Sequence, residues 1–280
     1  MKIAFLADIH SNYSALEACL EYIYSNDYYG IAFLGDFLTD CPYPKKTVSL
    51  MKNVPNKYKK WYIKGNREEY LINHHYNQND DWCRSSKTGS LLYTYDMMDK
   101  ADINWFEAMP ICDEISIIGA QKITICHGSP LATRQNFHIH PKELPECMQK
   151  ENNAFLIGGH GHTHIKRIID GKTYFMTDAV GSRQNKDLKT TFLSLELIDN
   201  KWVDSKVFLD YDIDKIYNDF KTSGLIDYAN IWALANRKSL ITGLNFPNMC
   251  LKYAISMAKE NNEPLDEKHF IEAARIYEVL

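Results

Sequence analysis

The chain contains a series of short apolar runs that alternate with segments of helical periodicity. Ile3–Ala7 is such a run, and it is followed by Leu16, Cys19, Leu20 and Ile23 at the spacing of one helix face. Runs of this length are typical of buried strands, and their alternation with helices predicts an α/β core. Further runs are Ile31–Leu34, Trp61–Ile63, Ile115–Ile118, Ile123–Cys126 and Phe155–Ile157.

The pattern changes to hairpins after residue 164. Ile165–Ile169 and Tyr174–Met176 flank an Asp-Gly pair, which favours a tight turn between antiparallel strands. Thr191–Leu197 and Trp202–Leu209 form a second hairpin pattern. Together these strands suggest an antiparallel portion of sheet. From residue 212 onward the apolar spacing is helical, so we predict a first domain over 1–211 and a helical C-terminal extension over 212–280.

Composition excludes several classes of protein. With 280 residues, 45% of them hydrophobic and 24% charged, the chain can bury a sizeable core. The 32 basic and 36 acidic side chains leave a net charge of −4, which argues against a broad basic surface for nucleic acid or an anionic membrane. The chain contains no run of about 18 apolar residues. Its seven cysteines form no C-x-x-C pair, which favours a reducing compartment, and we expect a cytoplasmic protein.

Almost every apolar run of the predicted core ends in a side chain that can bind a metal ion. Because ligands of an open α/β sheet bind outside the carboxyl ends of its strands, these side chains are expected to converge on one crevice. Glycines beside several of them allow a close approach of the backbone. The side chains at these run ends are Asp8 and His10, Asp36, Asn66, His127, and the three histidines His160, His162 and His164.

The candidate ligands are imidazoles, carboxylates and an amide, with no cysteine among them. This set favours Mn, Fe, Co, Ni or Zn in five- or six-coordinate geometry over a closed tetrahedral zinc site. Seven ligands are too many for one ion. Two cations about 3.5–4 Å apart would use them and would clamp a phosphate for in-line displacement. The seven predicted ligands are Asp8, His10, Asp36, Asn66, His127, His162 and His164.

Five short motifs occur in an order that resembles the calcineurin-like metallophosphoesterases. Two neighbouring segments are more similar to the bacterial predicted-phosphodiesterase branch of that family than to eukaryotic phosphoprotein phosphatases. They are Cys41-Pro42-Tyr43-Pro44 and His127-Gly128-Ser129-Pro130. The resemblance covers residues 1 to about 210 and implies a four-layer α/β/β/α sandwich with two mixed β-sheets, to which the helical extension is added. The motifs are Asp8-x-His10, Gly35-Asp36, Gly65-Asn66, His127-Gly128 and Gly161-His162-Thr163-His164.

The resemblance also implies a role for each ligand. Asp8, His10 and His164 would hold the first metal, and Asp36 would bridge the two ions. Asn66, His127 and His162 would hold the second, and a hydroxide between the metals would be the nucleophile. His160 is outside the family pattern, and we expect it to make a hydrogen bond to the backbone instead of binding a metal.

The residue after Asn66 departs from the pattern of many relatives, which carry a histidine there. This chain has Arg67, which stays cationic and cannot donate a proton at working pH. We therefore expect Arg67 to hold phosphate oxygens, while an ordinary ion pair with Glu68, Glu69 or a helix neighbour remains the alternative. The predicted catalytic residues are Asp36, Asn66, Arg67 and His127.

The expected function is that of a metal-dependent phosphoesterase. It would hydrolyse a phosphate ester or anhydride, with a small nucleotide-type substrate favoured. A serine/threonine phosphoprotein phosphatase and a non-catalytic metal-bound scaffold are the alternatives. The extension could cover a sheet edge, form a dimer contact or close over the substrate, so a homo-oligomer also remains open.

Overall fold

The computed structural model describes residues 1–182 and 186–280, which form two five-stranded sheets. The first sheet is mixed. Its strand order is β10-β9-β1-β2-β3. The pairs β1–β2 and β2–β3 are parallel, and the pairs β1–β9 and β9–β10 are antiparallel. The parallel strands are those that the short apolar runs predict. The bounds are β1 Lys2–Leu6, β2 Tyr28–Phe33, β3 Lys59–Tyr62, β9 Thr190–Ile198 and β10 Lys201–Leu209.

The second sheet is also mixed, with the order β4-β5-β6-β8-β7. The central pairs β5–β6 and β6–β8 are parallel, and the pairs at both edges are antiparallel. The bounds are β4 Cys112–Ile115, β5 Ile123–Cys126, β6 Phe155–Gly158, β7 Ile165–Ile169 and β8 Lys172–Met176.

Helices cover the outer faces of both sheets. Side chains of the two inner faces, such as Phe5 and Phe175, share one buried cluster between the sheets. A second cluster joins the first sheet to α1 and α2, and a third joins the second sheet to α6. These layers confirm the predicted α/β/β/α fold. The helices are α1 Tyr13–Ser25, α2 Pro44–Lys52, α3 Asn66–Tyr76, α4 Gly89–Asp96, α5 Lys100–Glu107, α6 Leu144–Lys150, α7 Ile213–Thr222, α8 Leu225–Thr242, α9 Phe246–Glu260 and α10 Glu267–Ile276.

The two hairpins do not form one antiparallel portion of sheet. β7 and β8 join the second sheet through a parallel pairing of β8 with β6, whereas β9 and β10 join the first sheet through β1. The chain therefore crosses from one sheet to the other after β8. Local patterning gives each hairpin but not its long-range partner, which depends on the side chains that pack between the sheets.

The C-terminal extension packs against the sandwich. Ile216 and Phe220 of α7 share a core with Tyr13 and Tyr93, and a Cβ at Gly89 would lie 1.9 Å from the Tyr228 carbonyl oxygen, so α4 and α8 lie in close contact. The division of the chain into two domains at residue 211 stays a prediction. Among the described residues, no helix has the length and apolar character needed to cross a membrane.

Candidate metal centre

The loops that follow β1, β2, β5 and β6 are joined by backbone hydrogen bonds. The amide of Asp8 donates to the carbonyl of Gly35 at 3.0 Å, and that of His10 to the carbonyl of Asp36 at 3.1 Å. In the second sheet, the amide of Gly159 donates to the carbonyl of His127 at 2.7 Å. The carboxyl ends of β1 and β2, and likewise those of β5 and β6, thus hold their polar residues close together. This is expected for the crevice at the carboxyl end of parallel strands.

Five of the residues considered as metal ligands from the sequence, His160 included, adopt a left-handed backbone. Non-glycine residues pay about 1–2 kcal/mol for this conformation, and such strain concentrates at functional sites. Its recurrence in loops from both sheets indicates that the geometry of these side chains is imposed by the fold. The residues and their φ angles are Asp8 (54°), His10 (48°), Asp36 (51°), His160 (66°) and His162 (53°).

Two glycines allow these loops to approach one another. Gly35 has φ +87°, and a Cβ there would lie 2.8 Å from Nδ1 of His127. At Gly159 a Cβ would lie 2.9 Å from Oδ2 of Asp8. A larger residue at either position would push a candidate ligand out of place.

The first candidate ligand group consists of Asp8, His10 and His162. Nε2 of His162 lies 3.2 Å from Oδ1 of Asp8 and 3.1 Å from Nε2 of His10. Nε2 of His10 lies 3.9 Å from the same Asp8 oxygen. The three ligand atoms therefore face a common point.

The second group consists of Asp36, His127 and His160. Nε2 of His127 lies 3.4 Å from Oδ1 of Asp36, and also 4.0 Å from Oδ1 of Asp8, which places the two groups side by side. Nδ1 of His127 donates to the carbonyl of Leu34 at 2.7 Å. Because one ring nitrogen carries this proton, the other is free to offer a lone pair.

Several buried polar atoms of these groups have no hydrogen-bond partner among the described residues. Among them are Oδ1 of Asp8, Nε2 of His127 and, next to the two groups, Oδ1 of Asn66. A buried polar atom without a partner costs about 1–3 kcal/mol, so such atoms call for an explanation. All three are electron-pair donors suited to divalent cations, and the residues therefore fit the bound metal ions that the donor set predicts.

The charges of the site oppose one another at short range. Burial alone would raise the pKa of the Asp8 carboxyl, but His162 and His127 outweigh burial and lower it. Burial disfavours a charged His127, yet Asp36 and Asp8 raise the pKa of its imidazole to about 10. For His160, burial and the neighbouring His127 lower the pKa to about 4. The carboxylates thus demand positive charge at this point, which cations can supply.

Glu68 fixes two of the ligand loops to each other. Its buried carboxylate accepts hydrogen bonds from the amides of Asp36 and Phe37, both at 2.9 Å, and from that of Gly65 at 2.8 Å. Burial and the neighbouring Asp36 raise the pKa of Glu68 to about 7. The loops after β2 and β3 are therefore joined through one side chain, which places Asn66 beside Asp36.

A cleft of about 540 Å³ opens over the two ligand groups. Its wall includes His10, Asp36 and His162 from the strand ends, together with side chains of α9 in the C-terminal extension. Arg67 and Lys252 bring cationic groups to this wall. The arrangement can place an anion against the two ligand groups.

The amino-acid sequence matches the model of one family, the calcineurin-like phosphoesterases, over residues 1–166. This chain belongs to the calcineurin-like phosphoesterase family. Membership makes it a metal-dependent phosphoesterase, which confirms the expected class of enzyme. No curated protein matches the chain.

Two solved structures share the fold of this phosphoesterase. A metallophosphoesterase from Sphaerobacter thermophilus is 18% identical with a TM-score of 0.69, and the match covers 87% of this chain and all of that one. The hypothetical protein PH1004 from Pyrococcus horikoshii OT3 is also 18% identical with a TM-score of 0.71, over 86% of this chain and 98% of that one. At this identity the likeness describes the fold alone.

The structure places His160 and His162 in the two ligand groups, whereas the role of His164 as a metal ligand stays a prediction. β6 ends at Gly158, so His160 and His162 follow the strand directly and enter the two groups. His164 is in neither group, and its amide donates to Asp178 at the entrance to β7. His160, expected to bond to the backbone, lies beside Asp36 and His127, and His162 lies with Asp8 and His10. Successive histidines of this segment are two residues apart, so His160 with His162 and His162 with His164 have the same spacing. Only the end of β6 distinguishes the two pairs.

The guanidinium of Arg67 in the phosphoesterase pairs with Asp40, and among the described residues it forms no ion pair with Glu68 or Glu69. Its amide donates to Oδ1 of Asp36 at 2.8 Å, and its guanidinium Nη2 lies 3.3 Å from Oδ2 of Asp40. Glu68 is occupied by three backbone amides, and Glu69 accepts from the hydroxyl of Thr133. Sequence reasoning missed Asp40 and the structural role of Glu68. For Glu68 a signal existed, because an acid three residues after a glycine N-cap is a typical helix-start pattern.

Proposed function

We propose that this chain hydrolyses a phosphate ester or anhydride with the help of two divalent cations. Asp8, His10 and His162 would hold one ion, and Asp36, His127 and His160 the other. The observation that carries the proposal is that these two buried groups lie side by side, with Oδ1 of Asp8 4.0 Å from Nε2 of His127. Asn66, whose buried amide oxygen lacks a partner, would add a ligand beside Asp36.

The protein side chains would divide the catalytic work with the ions. When bound, the cations would lower the pKa of a water molecule to near neutrality and neutralise charge on the phosphoryl oxygens. Asp36 remains our choice for the bridging carboxylate, because it lines the cleft and interacts electrostatically with both Asp8 and His127. Arg67 would hold the phosphoryl oxygens, since its guanidinium is cationic and lines the same cleft.

A small nucleotide-type phosphate is the favoured substrate. The cleft is larger than a phosphate group requires, and its wall continues beyond the ligands to Asn245, Asn248 and Lys252 of the extension. These polar and cationic side chains suit a second polar or anionic part of the substrate. A phosphate monoester without such a part would leave this wall without contacts.

The test is turnover by metal-stripped protein after addition of Mn, Fe, Co, Ni, Zn or Mg. We expect at least one metal to restore hydrolysis of bis-para-nitrophenyl phosphate or diadenosine tetraphosphate, with para-nitrophenyl phosphate as the monoester control. Absence of turnover with every metal, combined with normal metal binding, would favour the non-catalytic scaffold. Preferred turnover of a phosphoserine peptide would favour the phosphoprotein phosphatase.

Three finer predictions belong to the same proposal. The identity of the metals, a cytoplasmic location inferred from cysteine usage, and homo-oligomer formation through the extension all stay predictions. Metal analysis of protein purified from its native host, fractionation of the host cells and light scattering test them in turn.

A further inference from the structure

Asp40 connects the metal centre to the C-terminal extension. The residue is 6% exposed and has φ 71°. Its Oδ2 lies 3.1 Å from Nδ1 of His10 and 3.3 Å from Nη2 of Arg67. Its Oδ1 accepts hydrogen bonds from Nε1 of Trp232 at 2.8 Å and from the hydroxyl of Ser90 at 3.2 Å. One buried carboxylate thus contacts a candidate ligand, the cationic cleft residue and the extension.

The contact with His10 determines which ring nitrogen carries the proton. Nε2 of His10 faces His162 and Asp8, so this nitrogen must keep its lone pair to bind a metal. The proton then belongs on Nδ1, where a carboxylate oxygen at 3.1 Å favours it. Asp40 therefore stabilises the form of His10 that a metal requires.

The contact with Arg67 limits where the guanidinium can lie. A free arginine side chain samples many rotamers, and ordering it costs conformational entropy. Oδ2 of Asp40 holds Nη2 on one side, while the backbone amide of Arg67 is anchored on Asp36. The guanidinium is consequently held at the wall of the cleft before any substrate binds.

Trp232 holds Asp40 from the opposite side. Helix α8 is broken at Asn230, which has φ 44°, and the next amide, that of Ile231, donates to the hydroxyl of Ser86 at 3.0 Å. Trp232 lies two residues after this break, and its indole contacts Asp40. Indole Nε1–H is a donor only, so its bond to Oδ1 fixes the rotation of the carboxylate and leaves Oδ2 for His10 and Arg67.

We propose that Asp40 is a positioning residue that holds His10 in its metal-binding tautomer and Arg67 at the cleft wall, and that Trp232 of the extension fixes Asp40 in that role. The proposal rests on the proposed function only in requiring that a divalent cation binds at His10. It gives the extension a defined part in the site and needs no assumption about the substrate.

The test is a calorimetric titration of the metal-stripped full chain with Mn²⁺. Asp40→Asn keeps the size of the side chain but removes its charge, and Trp232→Phe removes the indole donor while keeping an aromatic ring. Trp202→Phe is the matched control, because Nε1 of Trp202 donates to the carbonyl of Gln121 at 2.8 Å in the first sheet, outside the network. Inorganic phosphate is then titrated into the Mn²⁺-loaded proteins to report on Arg67.

Asp40→Asn is expected to weaken one of two Mn²⁺ binding events by about 10- to 100-fold, the range typical for a residue that orients a metal ligand. Trp232→Phe should weaken the same event by a smaller factor, and both variants should bind phosphate more weakly than Trp202→Phe does. Wild-type Mn²⁺ and phosphate affinities in both variants would overturn the proposal. If Asp40→Asn fails to fold in circular dichroism and melting measurements, Trp232→Phe and Ser90→Ala decide by the same criteria.

This design separates two kinds of failure. Binding of Mn²⁺ by the wild-type chain without turnover of any phosphate ester would defeat the proposed function, while the effect of Asp40→Asn on that binding would still support the positioning role. If the wild-type chain hydrolyses a phosphate ester and the variants bind Mn²⁺ as tightly as the wild type, the proposed function stands. The positioning role of Asp40 is then refuted.

Discussion

The strand-end loops and the C-terminal extension both reach the candidate metal centre, but they contribute to it in different ways. The loops supply the ligand atoms mostly from buried residues with left-handed backbones, such as Asp8 and His10. The extension supplies one indole donor, Trp232, and exposed side chains on α9 such as Lys252. We therefore expect metal binding to depend on the sandwich, and the extension to adjust ligand orientation and substrate contact. Substitutions in the two regions should therefore differ in size and in kind.

The largest effect is expected from Asp36→Asn in the loops. Loss of this carboxylate charge removes several kcal/mol of stabilisation at the metals, so kcat/KM should fall by about 10³-fold, at roughly 1.4 kcal/mol per factor of ten. Steady-state kinetics on bis-para-nitrophenyl phosphate measures the loss. Asp210→Asn is the control, because that side chain is 87% exposed, and its activity should equal that of the wild type. Equal activity of the two variants would show that the site lies elsewhere.

A pair of histidine substitutions compares the two possible registers after β6. His160→Ala removes a member of the second group, so Mn²⁺ affinity at one site should fall by about 10²-fold or more. His164→Ala removes an imidazole outside both groups and should change Mn²⁺ affinity by less than about threefold. Calorimetry on the stripped protein gives both values. The opposite order would restore the ligand set implied by the family resemblance.

Arg67 lies between the two regions, since its amide is anchored on Asp36 and its guanidinium on Asp40. Arg67→Ala should raise KM or lower kcat by about 10- to 150-fold in total, because a hydrogen bond to a charged group is worth about 1.5–3 kcal/mol. Arg67→Lys should recover only part of this, since an ammonium cannot make the bidentate contact. Full activity of Arg67→Ala would leave the guanidinium with a structural role only.

The smallest effect is expected from the extension. Lys252→Ala should raise KM for diadenosine tetraphosphate by about two- to fivefold, in line with one exposed charge, and leave kcat unchanged. Para-nitrophenyl phosphate, which is too short to reach α9, should show no change. Lys259→Ala, on the same helix but away from the cleft, is the control. A similar effect on both substrates would argue against a substrate contact at Lys252.

The two regions also differ in how much the sequence predicts. The α/β core and the convergence of Asp8, His10, Asp36 and His127 follow from short apolar runs that end in polar residues, because strand order in such sheets brings those ends together. The choice between His160 and His164 depends on one strand ending at Gly158, which periodicity cannot locate to within two residues.

The extension could be predicted as helical but not placed. The bond between Trp232 and Asp40 joins residues 192 positions apart and depends on a break in α8 at Asn230. Neither residue carries a local signal for this contact. Only the packing of α7 and α8 on α1 and α4 brings the indole to the carboxylate.

The most direct measurement is an anomalous difference map from a crystal of Mn²⁺-loaded protein. We expect two peaks, one at ligand distance from His10 and His162 and the other at ligand distance from His127 and His160. A single peak, or a peak bound by His164 in place of His160, would contradict the proposed metal centre.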